Sequence, residues 1–163
     1  MDCVYICGPG ENEELRYSIR SVVKNFPHSN IWVVGDKPDW YIGNFIPVKL
    51  TGVKYNNARN NLYAITEHPD ISESFYLMND DFFIINKIDN FTTWHGGLLY
   101  DKADLYDALV PRSLYTKMLN NTYNKLIRLG ITDPLDYELH VPMLMEKSKL
   151  AKVLKYLSAR GIN

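Results

Sequence analysis

Short apolar runs alternate with amphipathic stretches along the first half of the chain. Two stretches, ENEELRYSIRSVVKNF and NNARNNLYAITEH, place apolar residues three and four positions apart, which is the spacing of a helix with one buried face. The runs between them are rich in β-branched and aromatic residues and stop at turn residues, as buried strands do. These runs are DCVYIC, IWVVG, FIPVKL and SFYLM. The alternation predicts an α/β fold with a mostly parallel central sheet flanked by helices.

The alternation of strand-like and helix-like stretches becomes less regular after Ile85. HGG marks a loop, and DLYDALVPRSLYTKMLNNTYNKLIRLG has helical periodicity in which Pro111 either breaks the helix or begins its second half. YELHVPMLMEKSKLAKVLKYL begins extended, and we expect Pro142 to open the last helix.

Composition narrows the class of protein. The 163 residues, 46% of them hydrophobic, suffice for a single domain with its own core, and the net charge of -1 gives no strong nucleic-acid signal. No apolar run has spanning length, so we expect no transmembrane segment, and the start MDCVYICGPG indicates a first strand rather than a signal peptide. Cys3 and Cys7 lie too far apart along that strand for a disulfide, which predicts buried thiols and a cytoplasmic protein.

A polar triplet interrupts the apolar stretch SFYLMNDDFFII. Asn79, Asp80 and Asp81 follow a predicted strand, at the sheet edge where ligands of open α/β proteins collect. Adjacent residues of an extended strand face opposite ways, so one acid could hold a metal while the other contacts the metal or a ligand hydroxyl. Such carboxylates suit Mg²⁺ or Mn²⁺. An ordinary turn or helix cap is the alternative, but the bulky FFII that follows favours a metal and substrate site.

Glycines and arginines near the first helix are candidate phosphate ligands. Gly8 and Gly10 end the first strand, where backbone amides can approach a nucleotide, although GPG is equally consistent with a simple turn. Arg16 and Arg20 lie four apart and share one helix face, which suits phosphate binding or ion pairs with neighbouring glutamates.

Two further groups are candidates for donor binding and catalysis. Arg59 and Asn60 lie in an asparagine-rich segment suited to hydrogen bonding with a sugar or a uracil-like base. Asp136, Glu138 and His140 alternate along an extended stretch and share one face, and either acid is a candidate general base. His140 could complete a metal site with the acidic triplet, move a proton, or be a core histidine.

NEELRYSIRSVVKNFPHSNIWVVGDKPDW together with SFYLMNDDFFI resembles the central region of the Stealth family of sugar-phosphate transferases, and more closely small phage-encoded proteins described as glycosyltransferases. A shorter stretch, NARNNLYAI, resembles the Ala-Arg-Asn segment of family 2 glycosyltransferases. The first strand ends in ICGPGEN, without the Trp and Asp of the usual first Stealth motif, so the resemblance favours glycosyl transfer over phosphotransfer.

The resemblance implies site residues at matching positions. It assigns Asp80 and Asp81 to metal and diphosphate binding, Arg16 and Arg20 to the arginines of the family's first helix, and His140 to the active site.

It also implies a GT-A-like fold for residues 1–163, with a nucleotide-binding half at 1–86 and an acceptor-side half at 87–163. The expected enzyme is a glycosyltransferase dependent on Mn²⁺ or Mg²⁺. Its donor would be a nucleotide-diphosphate sugar, first of all a UDP-sugar, and its acceptor a glycan or another hydroxyl. The resemblance places it in the cytoplasm of a bacterial host, with a phage gene as one source. A hexose-1-phosphate transferase and a non-catalytic nucleotide-sugar-binding module are the alternatives.

Overall fold

The computed structural model describes residues 1–49, 51 and 53–159, and these form two compact units. The first unit combines residues 1–92 with the C-terminal segment that begins at Val141, and the second is Thr93–His140. The strands are β1 Asp2–Cys7, β2 Ile31–Gly35, β3 Asn44–Pro47, β4 Ser74–Met78 and β5 Met143–Glu146. The helices are α1 Glu13–Asn25, α2 Lys54–Glu67, α3 Leu99–Leu109, α4 Leu114–Arg128 and α5 Lys147–Ala159.

All five strands form one sheet in the first unit, in the order β3-β2-β1-β4-β5. The pairs β1/β2, β2/β3 and β1/β4 are parallel, whereas β5 runs antiparallel to β4. The α/β class is therefore confirmed, but the expectation of a mostly parallel sheet needs correction, because the sheet is mixed. β5 follows a separate unit of the chain rather than a crossover helix, so nothing requires it to be parallel.

The sequence pattern located most elements but misread two boundaries. Pro111 separates α3 from α4, as predicted. Pro142, in contrast, does not open the last helix: it directly precedes β5, and α5 begins only at Lys147. The third strand ends at Pro47, before the end of the apolar run FIPVKL, whose last residue lies outside the described part of the chain.

The central strand β1 is buried on both faces, which explains its nearly continuous apolar sequence. Cys3, Tyr5 and Cys7 point into the core that α1 covers, while Val4 points into the core that contains residues of α2. Both cysteines are free, fully buried thiols, as predicted. Burial raises the pKa of Cys3 to about 12 and that of Cys7 to about 11, so both remain protonated at neutral pH.

The segment after β4 is held by side chains of α1 rather than by the sheet. Ser18 Oγ donates to the carbonyl of Phe82, Ser21 Oγ accepts from the amide of Ile84 at 2.9 Å, and Asn25 Nδ2 donates to the carbonyl of Ile84. Phe82 and Ile84 are buried in the same core as α1. The apolar FFII is thus explained by alternate burial beneath a helix, outside any strand.

The second unit is a helical hairpin. α3 and α4 pack through Leu99, Ala103 and Leu119, with tyrosines around this small core. The Ser113 hydroxyl accepts from the amide of Thr116 at 3.0 Å and caps α4. Within the described part of the chain, none of the helices is long and apolar enough to span a membrane.

Candidate functional site

A cleft of about 510 Å³ opens beside the carboxyl ends of β1 and β4. The chain proceeds from β1 to β2 and β3 on one side of the sheet, then crosses to β4 on the other side of β1. Open α/β sheets bind ligands at this point, where the strand order reverses. The cleft is lined by Gly8, Pro9, Glu11, Asn12, Glu13, Glu14 and Asp80. Gly8 and Asp80, both predicted from sequence, therefore lie in one site.

The acidic triplet forms a turn. The amide of Phe82 donates to the carbonyl of Asn79 at 3.3 Å, so Asp80 and Asp81 are the two central residues. They are not in extended conformation, and the inference that they point to opposite faces of a strand is wrong. Asp80 is partly buried and lines the cleft, whereas Asn79 and Asp81 are exposed. The turn that was weighed as the alternative is therefore formed, and the binding role of the triplet stays a prediction.

Asn12 joins the two loops that border the cleft. Its Oδ1 accepts from the amide of Leu15 at 2.9 Å and caps α1, and its Nδ2 donates to Asp80 Oδ2. Sequence reasoning missed this residue, although an Asn directly before two glutamates and an apolar periodic stretch is a recognisable helix start. Its contact with Asp80 has no local sequence signal, because 68 positions separate the two residues.

The cleft carries acidic side chains. Among the described residues that line it, four are carboxylates and none is basic. Oxygen-only ligands suit the hard cations Mg²⁺ and Mn²⁺, which need one or two carboxylates and take their other ligands from water and phosphate. The oxygen-only donor set of the cleft therefore suits such a cation, and Asp80 stays its predicted ligand. A bare diphosphate would be repelled here, so an anionic ligand would require the cation.

The described residues include no group of three or more His, Cys, Asp or Glu side chains arranged to hold a metal ion. The predicted set of Asp80, Asp81 and His140 draws on both units of the chain, and it stays a prediction. His140 is exposed, which excludes the core-histidine alternative.

A second cleft, next to the first along α1, has mixed charge. It contains the predicted Gly10 and Arg16, together with Asp36, Lys37 and Trp40. The Arg16 guanidinium stacks 4.8 Å from the centre of the Trp40 ring, and its Nη2 lies 3.3 Å from Glu13 Oε1. The ion pair weighed as an alternative to phosphate binding is thus formed.

The remaining predicted donor-binding residues lie outside both clefts. Arg20 is exposed, with its guanidinium 5.8 Å from the ring centre of Tyr17. Arg59 and Asn60 line a different groove, of about 600 Å³, between α2 and α5. The structure therefore does not bring these three residues to the acidic cleft. Arg20 lies on α1 but does not line the cleft, and Arg59 and Asn60 belong to α2, which covers the opposite face of the sheet from α1.

In the second unit, the predicted bases Asp136 and Glu138 take part in an ion-pair network. Lys102 Nζ lies 3.0 Å from Asp136 Oδ2 and 3.4 Å from Glu138 Oε2, and Tyr115 donates to Glu138 Oε2 at 2.6 Å. Asp136 is buried, and a Cβ on Gly96 would approach its Oδ2 to 2.7 Å. Glu138 is exposed. Asp136 therefore has a structural partner, and the catalytic role of either acid stays a prediction.

Lys102 is expected to stabilise the second unit. Burial by itself lowers the pKa of Lys102, but Asp136 and Tyr115 outweigh it and raise that pKa above its usual value. Lys102→Met leaves the Asp136 carboxylate buried without its cation, which should lower the free energy of unfolding by about 2 kcal/mol. Urea denaturation measures this loss. The control Lys149→Met removes an exposed lysine that pairs with Glu146 and should change little; equal losses in the two variants contradict the prediction.

The chain was also compared with known proteins. No family model matches it, and no curated protein sequence matches it significantly.

Proposed function

We propose that this protein is a glycosyltransferase that binds a nucleotide-diphosphate sugar, through Mn²⁺ or Mg²⁺, in the acidic cleft beside Asp80. The single observation that carries the proposal is the position of that cleft, at the point where the strand order of the sheet reverses. The resemblance of the acidic triplet and of α1 to glycosyltransferases supports the same assignment.

The charge of the cleft supports a donor that carries a diphosphate. Glu11, Glu13, Glu14 and Asp80 create a negative field that attracts a divalent cation, and the cation in turn attracts a diphosphate. When bound, the metal would neutralise charge that develops on the leaving diphosphate. The exposed glycine backbone at Gly8 leaves room for a ligand, because a Cβ at this position would meet nothing within 4 Å.

In the proposed reaction, the acceptor oxygen forms a bond to the anomeric carbon, and the bond from that carbon to the diphosphate oxygen breaks. The nucleoside diphosphate departs with the bonding electron pair. The hydroxyl proton passes to a base, for which Glu138, Asp136 and His140 are the predicted candidates. Glu138 and His140 are exposed, whereas Asp136 is buried against Lys102.

Calorimetry with UDP-, CDP- and GDP-sugars, in Mn²⁺ and in EDTA, tests donor binding. We expect one of these donors to bind only with the metal. Asp80→Asn should weaken binding at least about tenfold, because the loss of even an outer contact to a metal ligand typically costs that much affinity. Asp70→Asn is the matched control, because Asp70 is exposed in the turn before β4, at the opposite end of that strand. Failure of the wild type to bind any donor overturns the proposal, and so does unchanged binding by Asp80→Asn.

Product analysis then separates the reaction classes. Glycosyl transfer releases the nucleoside diphosphate, whereas a hexose-1-phosphate transferase releases the nucleoside monophosphate. Metal-dependent binding with neither product, across a panel of hydroxyl acceptors, identifies a binding module without turnover and contradicts the enzymatic part of the proposal.

A further inference from the structure

The side-chain amide of Asn12 has one orientation that satisfies both of its neighbours. On one side it faces the amide N–H of Leu15, which needs an acceptor, and on the other the carboxylate of Asp80, which needs a donor. If the amide were rotated by 180°, its NH₂ group would face the N–H of Leu15, donor against donor, and its Oδ1 would face the carboxylate of Asp80, acceptor against acceptor. The helix cap therefore fixes the direction in which the Nδ2 group points.

Asp80 depends on such a contact because it lies in a turn. The turn supplies no strand partner at this position, and Asn12 is the one described residue for which the structure records a hydrogen bond to the carboxylate. The bond occupies Oδ2, so Oδ1 remains available to a ligand in the cleft. Without it, the Asp80 side chain could adopt other χ1 rotamers, which would move both carboxylate oxygens away from this position.

We propose that Asn12 is the positioning residue of the cation site: by capping α1 and donating to Asp80 Oδ2 at once, it fixes the carboxylate in the orientation that receives the metal. This inference rests on the proposed function, because it requires that a cation bind at Asp80. Outer contacts that orient a metal ligand typically contribute ten- to a hundredfold in metal affinity. Asn12 orients Asp80 with the same side chain that caps the N-terminus of α1.

Asn12→Ser separates the helix cap from the contacts that Asn12 Nδ2 makes with Asp80 and, at 3.9 Å, with Cys7 Sγ. Serine is an equally good N-cap, so α1 keeps its capped amide, but its shorter side chain does not reach Asp80. We expect the melting temperature to be unchanged and the affinity for Mn²⁺ in the presence of UDP, measured by electron paramagnetic resonance of free Mn²⁺, to fall about tenfold. Asn12→Ala should lose the same affinity and, in addition, stability.

Ser113→Ala is the matched control for stability. It removes the N-cap of α4, and Ser113 does not line the cleft, so stability should fall while Mn²⁺ affinity stays at the wild-type value. A second readout needs no metal: in the amide NMR spectrum of the apoprotein, the Asn12 Nδ2 protons should shift in Asp80→Asn and remain in place in Asp70→Asn.

The outcomes distinguish the inference from the function on which it rests. Wild-type affinity in Asn12→Ser overturns the positioning role and leaves the cation site standing. Equal affinity losses in Ser113→Ala and Asn12→Ala, with none in Asn12→Ser, show an effect of stability and also overturn it. Absence of Mn²⁺ binding by the wild type with UDP, CDP and GDP alike overturns both the inference and the proposed function.

Discussion

Gly35→Ala is expected to lower the free energy of unfolding more than any other substitution proposed for this protein. Gly35 ends β2 with a φ of 117°, and a Cβ there would lie 2.3 Å from the carbonyl oxygen of Cys7 and 2.9 Å from Asn61 Nδ2. The first contact is with backbone of the central strand, which cannot move aside without disturbing the sheet. Positive φ and overpacking together should cost about 3–4 kcal/mol of unfolding free energy. Urea denaturation measures the loss.

Gly10→Ala is the matched control, because it separates backbone strain from collision. Gly10 has nearly the same φ, 115°, but a Cβ there would meet nothing within 4 Å. This variant should lose only the conformational part, about 1 kcal/mol. If both variants lose the same amount, the close approach of Gly35 to Cys7 is not what requires a glycine.

Asp2→Ala is expected to have the second largest effect. Asp2 is fully buried, and its carboxylate accepts from the amide and the side chain of Asn30, at 3.1 and 3.0 Å, and from the amide of Ser72 at 2.9 Å. These contacts join the starts of β1, β2 and β4. Alanine leaves three donors without their acceptor, which should cost about 3 kcal/mol in urea denaturation at pH 7. Asp70→Ala, which removes an exposed aspartate near the same edge, should change stability by less than about 0.5 kcal/mol.

The contribution of Asp2 should depend on pH. Burial by itself raises the pKa of Asp2, but the hydrogen bonds from Ser72 and Asn30 outweigh it and hold that pKa below its ordinary value. A lowered pKa in the folded state means that the ionised carboxylate stabilises fully above the unfolded pKa of about 3.9 and loses this effect as the pH falls. The difference between wild type and Asp2→Ala should therefore narrow below about pH 4. A constant difference from pH 7 to pH 2 contradicts this explanation.

Local patterns predicted what depends on local physics. β1, β2, β4 and α1 were located because buried strands need uninterrupted apolar residues and an amphipathic helix needs one apolar face. The antiparallel direction of β5 was not predictable in this way, since it depends on how the chain returns to the sheet after the 64 residues, 79–142, that separate β4 from β5. Periodicity carries no information on strand direction.

The candidate site was predictable only in part, for the same reason. Gly8 and Asp80 could be named because they lie one and two residues after a strand, and parallel strands bring their carboxyl ends to one edge. The prediction that Arg59 and Asn60 bind the donor rests on local composition and on a short resemblance, and neither says which face of the sheet a helix covers. The contact of Asn12 with Asp80 joins residues distant in sequence, and it emerges only from the folded chain.

The attachment of residues 82–84 to α1 has a mechanical consequence for the cleft. Ser18, Ser21 and Asn25 bind the segment that leaves the acidic turn, and Asn12 binds Asp80 in the turn itself. Four side chains at the start of α1 and along it therefore hold residues 80–84. A displacement of α1 would therefore carry Asp80 along with Glu13 and Glu14, which line the same cleft. The distances from the Asp80 carboxylate to those of Glu13 and Glu14 should therefore change little when the helix shifts slightly over the sheet.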